Sequence, residues 1–270
     1  MNGSISERGM IFMKHILFSF VCAVFFLIGI LSGCNRQKTT ALVNTLTFDT
    51  NGFKSLRIDY DADESSSFES YIEIYIPQGY MDSLSLHSTS GTIHSETVLN
   101  LSGGFSVDTT GGKVEVSNTK ASKIKATSTN GSLSFENINS DEISIQTTNA
   151  ATSMNQINGA IIYQSKGGKL TASALSGSGS FSASGDGSID LSFVNVTRDI
   201  SAYSKNGTLT VMLPSVLDFK FSAATKEGSI DTSFAEQLAI TDNTAAGSVG
   251  TSPEITVKLE TRNGDINVLR

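Results

Sequence analysis

Two of the three histidines, His87 and His94, stand seven residues apart, with Asp82 and Glu96 close by. Imidazoles converging with a carboxylate would make a zinc site. The alternation of residues around them turns both histidines outward on opposite sides of a corner at Gly91, so the reading is exposed polar residues and no metal. Asp59, Asp61 and Asp63 open like a calcium loop, but Glu64 and Ser70 occupy the places where that loop needs glycine and a bidentate acid. A solvated acidic edge that discourages strand pairing is the expectation there. The stretch GDGSID (Gly185–Asp190) echoes a calcium-binding nonapeptide, yet it occurs once where such sites stack several copies. No G-x-S-x-G elbow or phosphate-binding G-x-x-x-x-G-K-[ST] loop occurs. No outward column repeats Asp, Glu or Arg in adjacent repeats, as a glycan-cleaving groove would. The chain reads as a non-enzyme without a cofactor.

Cys34 is the residue with the clearest chemistry. A basic Lys14, an apolar run from Ile16 to Leu31 and the ending Leu31-Ser32-Gly33-Cys34 have the layout of a secretory signal. MKHILFSF offers a second start at Met13. The LSGC ending resembles the bacterial lipobox, which implies diacylglycerol transfer to the Cys34 sulfur and cleavage after Gly33. Residues 1–33 are then a lipoprotein signal peptide and 34–41 a lipidated tether; an uncleaved N-terminal membrane helix is the alternative. Both place the remainder outside the cytoplasm, held to the cell membrane or an outer membrane. Cys22 leaves with the signal, so no disulfide framework exists. The chain carries −7, and removing Glu7, Arg8 and Lys14 leaves −8, which argues against nucleic acid as a partner.

The remaining residues must form elements from a Ser/Thr/Asn/Gly-rich composition. Corners recur at Gly91, Gly112, Gly131, Ala150, Gly168, Gly187, Gly207, Gly228 and Gly264, at intervals of 18–21 residues and then 36. Seven and five residues before each corner, and two after it, the columns are mostly apolar, as in Leu84, Leu86 and Ile93 of the first repeat. Three residues before it stands a hydroxyl every time: Ser88, Thr109, Ser128, Thr147, Ser165, Ser184, Ser204, Thr225 and Thr261. All three preceding columns share one strand face. Stacked in register, the hydroxyls would form a ladder inside each corner, bonded to the next layer or to corner backbone.

These columns predict an all-β parallel β-solenoid of about nine coils over residues 83–270, with residues 42–82 as an N-terminal β cap. An antiparallel sandwich or meander is the alternative, since Asn130-Gly131 between alternating runs also suits a hairpin. Stacking puts Lys125 beside Ser106 and Ser144; a hairpin puts it opposite Glu136. Two places strain the pattern. Counted from Gly187, Ser180 and Ser182 enter the core columns, and a one-residue slip would return Phe181 to the interior. Residues 233–254 read as an insertion or a worn coil marked by Gly247-Ser248-Val249.

The series of T-x-x-G-x-(I/V/L) corners, ending in LETRNGDINV (Leu259–Val268), resembles a bacterial adhesin-labelled family of β-solenoid domains of unknown function. It is similar too to a companion head-domain family of lipoproteins. The resemblance implies an extracytoplasmic β-helical domain with no established catalytic residues; Asn149-Ala150 departs from the usual glycine corner. A surface binding or adhesion module for an envelope protein or glycan is the functional expectation. An envelope-stress or regulatory scaffold is the alternative, and a glycan-active enzyme ranks below both.

Overall fold

Stacking governs the Asn130-Gly131 corner. In the computed structural model, which describes residues 45–49, 55–59, 71–76 and 79–270, Lys125 lies in register with Ser106 on one side and Ser144 on the other. The described chain is all-β, without an α-helix, and winds as a parallel β-solenoid. Short strands β1 (Thr45–Asp49), β2 (Ser55–Asp59) and β3 (Tyr71–Tyr75) precede β4 (Ser83–Ser88) and β5 (Thr92–Ser95). Long strands follow: β6 (Leu99–Thr109), β7 (Val114–Ser128), β8 (Leu133–Thr147), β9 (Thr152–Ser165), β10 (Leu170–Ala183) and β11 (Ile189–Ser204). The C-terminal part holds β12 (Leu209–Met212), β13 (Phe219–Thr225), β14 (Ile230–Thr232), β15 (Leu238–Ile240), β16 (Thr244–Val249), β17 (Ile255–Thr261) and β18 (Ile266–Leu269).

The long strands bend where the ladder skips a residue and then resumes. Between one glycine corner and the next, Asn118, Asn137, Gln156 and Ala174 turn the backbone with φ between 51° and 55°. Asparagine tolerates this left-handed conformation, whereas Gln156 and Ala174 are held in it by paired backbone on either side. The interior is a stack of like on like, as in Leu84↔Phe105↔Ile124↔Ile143↔Ile161, all buried. Ile230, on the last layer, is only half-buried.

The corner column is glycine for a steric reason. A Cβ on Gly131 would collide with the Gly112 carbonyl oxygen, and one on Gly207 with the Gly187 carbonyl, because successive corners rest backbone on backbone. Inside each corner the hydroxyls satisfy the tight backbone. Ser128 Oγ donates to the Gly131 carbonyl at 3.0 Å, and Thr109 Oγ1 accepts from the Gly112 N–H at 3.0 Å. Ser204 does both, accepting from Gly207 N–H and donating to the carbonyl of Gly187 one layer below, each at 2.8 Å. Thr225 and Thr261 likewise reach the corner carbonyls of neighbouring layers, at 3.0 and 3.4 Å. Only Thr147 and Ser165 bond hydroxyl to hydroxyl, at 2.9 Å. Ser184 does not belong to the column. Ala183 takes its place, in register with Ser165 and Ser204, and Ser184 is exposed. The physical reason is one extra residue in the Ser184–Gly187 corner, the same slip that returns Phe181 to the core at 1% exposure.

The ends differ from the repeat pattern. The solenoid makes about seven turns rather than nine. The corners at Gly228 and Gly264 belong to half-turns, β13–β14 and β17–β18, each of which has two sides and lacks the third. At the other end, β1 and β2 pair in parallel with β4 and β5, so the segment read as a cap supplies a further half-layer, and β3 covers β2. Within residues 233–254, β15 and β16 form an antiparallel hairpin, and β16 covers the outer edge of β13.

Spatial order at the C-terminal end departs from chain order. The last segment, β17–β18, lies between β11–β12 and β13–β14, in parallel register with both. Three carboxylates fasten it and its approach. Asp199 Oδ1 accepts from the Thr256 N–H at 2.8 Å, and Asp265 Oδ1 accepts from the Ser229 N–H and hydroxyl at 2.8 and 2.9 Å. Asp218 accepts the N–H groups of Thr251 and Ser252 at 2.9 and 3.0 Å, tying down the connection from β16 to β17.

Two stability predictions follow from these contacts. The Tyr163 hydroxyl and Thr152 Oγ1 are buried without a hydrogen-bond partner. Tyr163→Phe and Thr152→Val are therefore expected to gain about 1 kcal/mol each in urea unfolding, since an orphaned buried polar group costs about 1–3 kcal/mol. A loss on both substitutions would contradict that assignment. The Ser229 N–H, then its hydroxyl, hold the Asp265 carboxyl below the ordinary range; the N–H of Ser252, then that of Thr251, do the same for Asp218. A depressed folded pKa contributes stability above the unfolded value, about 3.9, that is lost as pH falls through the folded one. Asp265→Asn should therefore lower the melting temperature at neutral pH, and the gap from wild type should close as the pH falls below about 4. A gap independent of pH would refute the linkage.

Candidate binding surface

A cleft of about 510 Å³ runs across several coils beside the glycine corners. Strand parity builds it. Outward residues four before the corner (Asp108, Thr127, Gln146, Gln164) form one wall, and Thr129, Thr148 and Lys166, two before it, form the other. Between them run the buried hydroxyl positions Thr109, Ser128, Thr147 and Ser165. Ser182 and Ser184 close the far end, so Ser184, displaced from the interior ladder, contributes to the surface instead. In-register strands repeat every 4.7–4.9 Å, so the walls present amide and hydroxyl groups at about that spacing.

Hydrogen bonding divides this surface into committed and uncommitted groups. At the corners, amides link layer to layer: Asn149 donates to Asn130 at 3.3 Å, Asn206 to Asp186 at 2.7 Å and Asn263 to Asn206 at 2.7 Å. Asn137 donates to Asn118 at 2.7 Å on the second corner, and Asn158 to Asn139 at 3.3 Å. Gln146 and Gln164 are adjacent in register and exposed, yet neither makes a side-chain hydrogen bond among the described residues. Asp108 is engaged at its end of the cleft, by His87 Nδ1 at 2.9 Å and by the Thr127 hydroxyl.

The residues singled out for chemistry are dispersed. His87 pairs with Asp108, whereas His94 lies between Glu96 (3.0 Å) and Glu115 (3.4 Å) across the corner. Lys113, 2.6 Å from Glu115, holds that carboxyl below its ordinary range, assisted by His94. Among the described residues no group of three or more His, Cys, Asp or Glu is arranged to hold a metal ion. In GDGSID, Asp186 is used by the amide of Asn206, and Asp190 lies in register with Thr171 and Thr210. Asp59 ends β2, while Asp61, Asp63, Glu64 and Ser70 lie outside the described residues, as do Cys34, the signal and the tether. No helix among the described residues is long and apolar enough to cross a membrane. The unbonded glutamine pair was not marked by the sequence reading. Its signal was available in the outward parity of Gln146 and Gln164 at the same place in successive repeats.

Fold and surface define a class, the parallel β-solenoid whose exterior is a polar array without an assembled catalytic constellation among the described residues. Within that class the chain belongs to the Toastrack DUF4097 family, which it matches over residues 38–269. The family is β-solenoid-like and of unknown function, so the resemblance to adhesin-labelled domains holds at the level of fold and not of adhesion. No curated protein and no solved structure matches the chain.

The division between committed and free amides has a direct test. Gln146→Ala and Gln164→Ala should each change stability by less than about 0.5 kcal/mol, as surface substitutions without partners do. Asn206→Ala, which removes bonds to two layers, should cost about 1 kcal/mol. Urea midpoints measure all three. Equal losses at Gln146 and Asn206 would mean the glutamines are structural.

Proposed function

We propose that the protein is a membrane-anchored, extracytoplasmic binding module with no catalytic role, tethered through diacylglycerol on Cys34 and offering its polar cleft to a hydroxyl-rich envelope polymer, a glycan. The observation that carries this reading is the unbonded pair Gln146 and Gln164 in a cleft walled by hydroxyls. Amides recognise sugar hydroxyls by donating and accepting at once. The other macromolecular partners fit less well. Nucleic acid requires a basic array, whereas the cleft holds one lysine, Lys166, and one carboxylate, Asp108. Tight protein interfaces centre on buried aromatic or aliphatic anchors, and the cleft walls carry none. The absence of tryptophan removes the strongest sugar-stacking side chain, so binding is weak per coil and accumulates along the polymer.

The test has two arms. Cys34→Ala should move the protein from the membrane fraction to the soluble one or leave it as an unprocessed precursor; unchanged size and fractionation would reject the lipid anchor. Retention of the protein on insoluble cell-wall glycan should fall at least tenfold in a Gln146→Glu/Gln164→Glu/Thr148→Asp variant with unchanged melting temperature. Equal retention of wild type and variant would reject the cleft as the binding surface.

A further inference from the structure

The out-of-order C-terminal layer contains two alternative stackings of the same chain. Seen from β11–β12, the coil formed by β13 and β14 is the next in sequence, and its columns match those of every other step. Phe221, Ala223 and Thr225 stand in the places that Val257, Leu259 and Thr261 occupy against Ile200, Ala202 and Ser204. Ile230 likewise stands in the place that Ile266 occupies against Leu209. The connection is long enough. From Gly207 to Gly228 the chain runs 21 residues, the same interval as from Gly91 to Gly112, which climbs a single layer. Yet Gly264 rests on Gly207, and Gly228 on Gly264, so the step from Gly207 to Gly228 climbs two layers.

Chain order determines what is available first. While a chain is being made, or before its C-terminus has found its place, β11–β12 has an exposed ladder edge and β13–β14 is the adjacent segment able to satisfy it. Closing that short connection costs less loop entropy than recruiting β17–β18 from 36 residues beyond Gly228. We infer that β13–β14 first stacks directly on β11–β12, and that β17–β18 then inserts between them as a displaceable layer. Insertion is favoured at the end because β17 gains a ladder on both edges and buries Val257, Leu259, Ile266 and Val268. Asp199 of the layer below grips it at the Thr256 N–H, its own Asp265 grips Ser229 of the layer above, and the connection into β17 is short, with Gly250 at φ +87° and Pro253. Whatever withdraws β17–β18 leaves a closed solenoid rather than an open slot, and frees Ile255–Arg270 as an extended segment.

Cysteine pairs in the full chain distinguish the two stackings, with Cys22 and Cys34 replaced by Ser and the protein kept in detergent. Tyr203 is in register with Glu260, which is in register with Ala224. In the final fold Tyr203 and Ala224 are thus two layers, about 10 Å, apart, beyond the reach of a disulfide. Tyr203→Cys/Glu260→Cys therefore reports the inserted layer and Tyr203→Cys/Ala224→Cys the direct stack. After dilution from denaturant, with oxidant added at successive delays, the 203–224 disulfide should form in early samples and fall at least fivefold in late ones, while 203–260 rises over the same interval. The outward set Ser201→Cys with Lys258→Cys or Ser222→Cys repeats the measurement should the first set fail to fold. Formation of 203–260 from the earliest delay, with 203–224 never above its level in the folded protein, would overturn the inference.

Discussion

The structure depends on corners that rest directly on one another. Each glycine corner lies so close to the carbonyl of the next layer that no side chain fits between them, and this contact fixes the register of the strands on either side. A corner packed so tightly strands its own N–H and C=O groups away from water, and an unpaired buried backbone group is costly. The hydroxyl three residues earlier resolves this, bonding the N–H or the carbonyl of the corner from inside. Glycine and hydroxyl are therefore one device. Where the device is altered, at Ala150 and at the four-residue corner before Gly187, the strands still pair in register on both sides of the corner, as Ala183 with Ser204 and Leu170 with Ile189.

A fold assembled by translation has the same weakness at both ends: each terminal layer exposes a ladder able to pair with another chain. Among the described residues the C-terminal end is closed by a change of direction. Strand β16 runs antiparallel on the open edge of β13, and β15 folds back on β16, so the last edge is a three-residue strand rather than a full layer. Phe234 packs edge-on against Phe219 at 5.2 Å, and the Arg270 guanidinium lies 5.3 Å over the Phe234 ring, so the chain's last residue helps seal the cap.

Much of this was legible in residue columns. Corner spacing, inward parity and the hydroxyl position identified the parallel winding, and the misfit at Phe181 located the one corner that is longer by a residue. The order of the last layers was not legible. Columns that make each repeat equivalent also make each repeat an acceptable neighbour of any other, so Phe221 and Val257 are interchangeable against Ile200 by pattern alone. What separates them is set outside the columns, by the carboxylates Asp199 and Asp265 and by the hairpin that occupies the far side of β13. The second bend escaped for another reason. Asn118, Asn137, Gln156 and Ala174 share a conformation without sharing a residue type, because paired strands impose it whatever the side chain.

The same equivalence shapes what the exterior can recognise. A solenoid places like positions one layer apart, so a surface site is a row, and its selectivity lies in which members of the row are already bonded to each other. Asparagines at the corners are consumed in linking layers, whereas Gln146 and Gln164, one carbon longer and set on the flat of the strand, are not. The difference is geometric. A short amide at a corner meets its neighbour directly above it, and a longer one on the strand has room to turn outward. Affinity in such a row grows with the number of layers engaged rather than with any one contact. The sequence can therefore drift along the exterior while the corners stay constant, and one scaffold can carry different rows without a change in its interior.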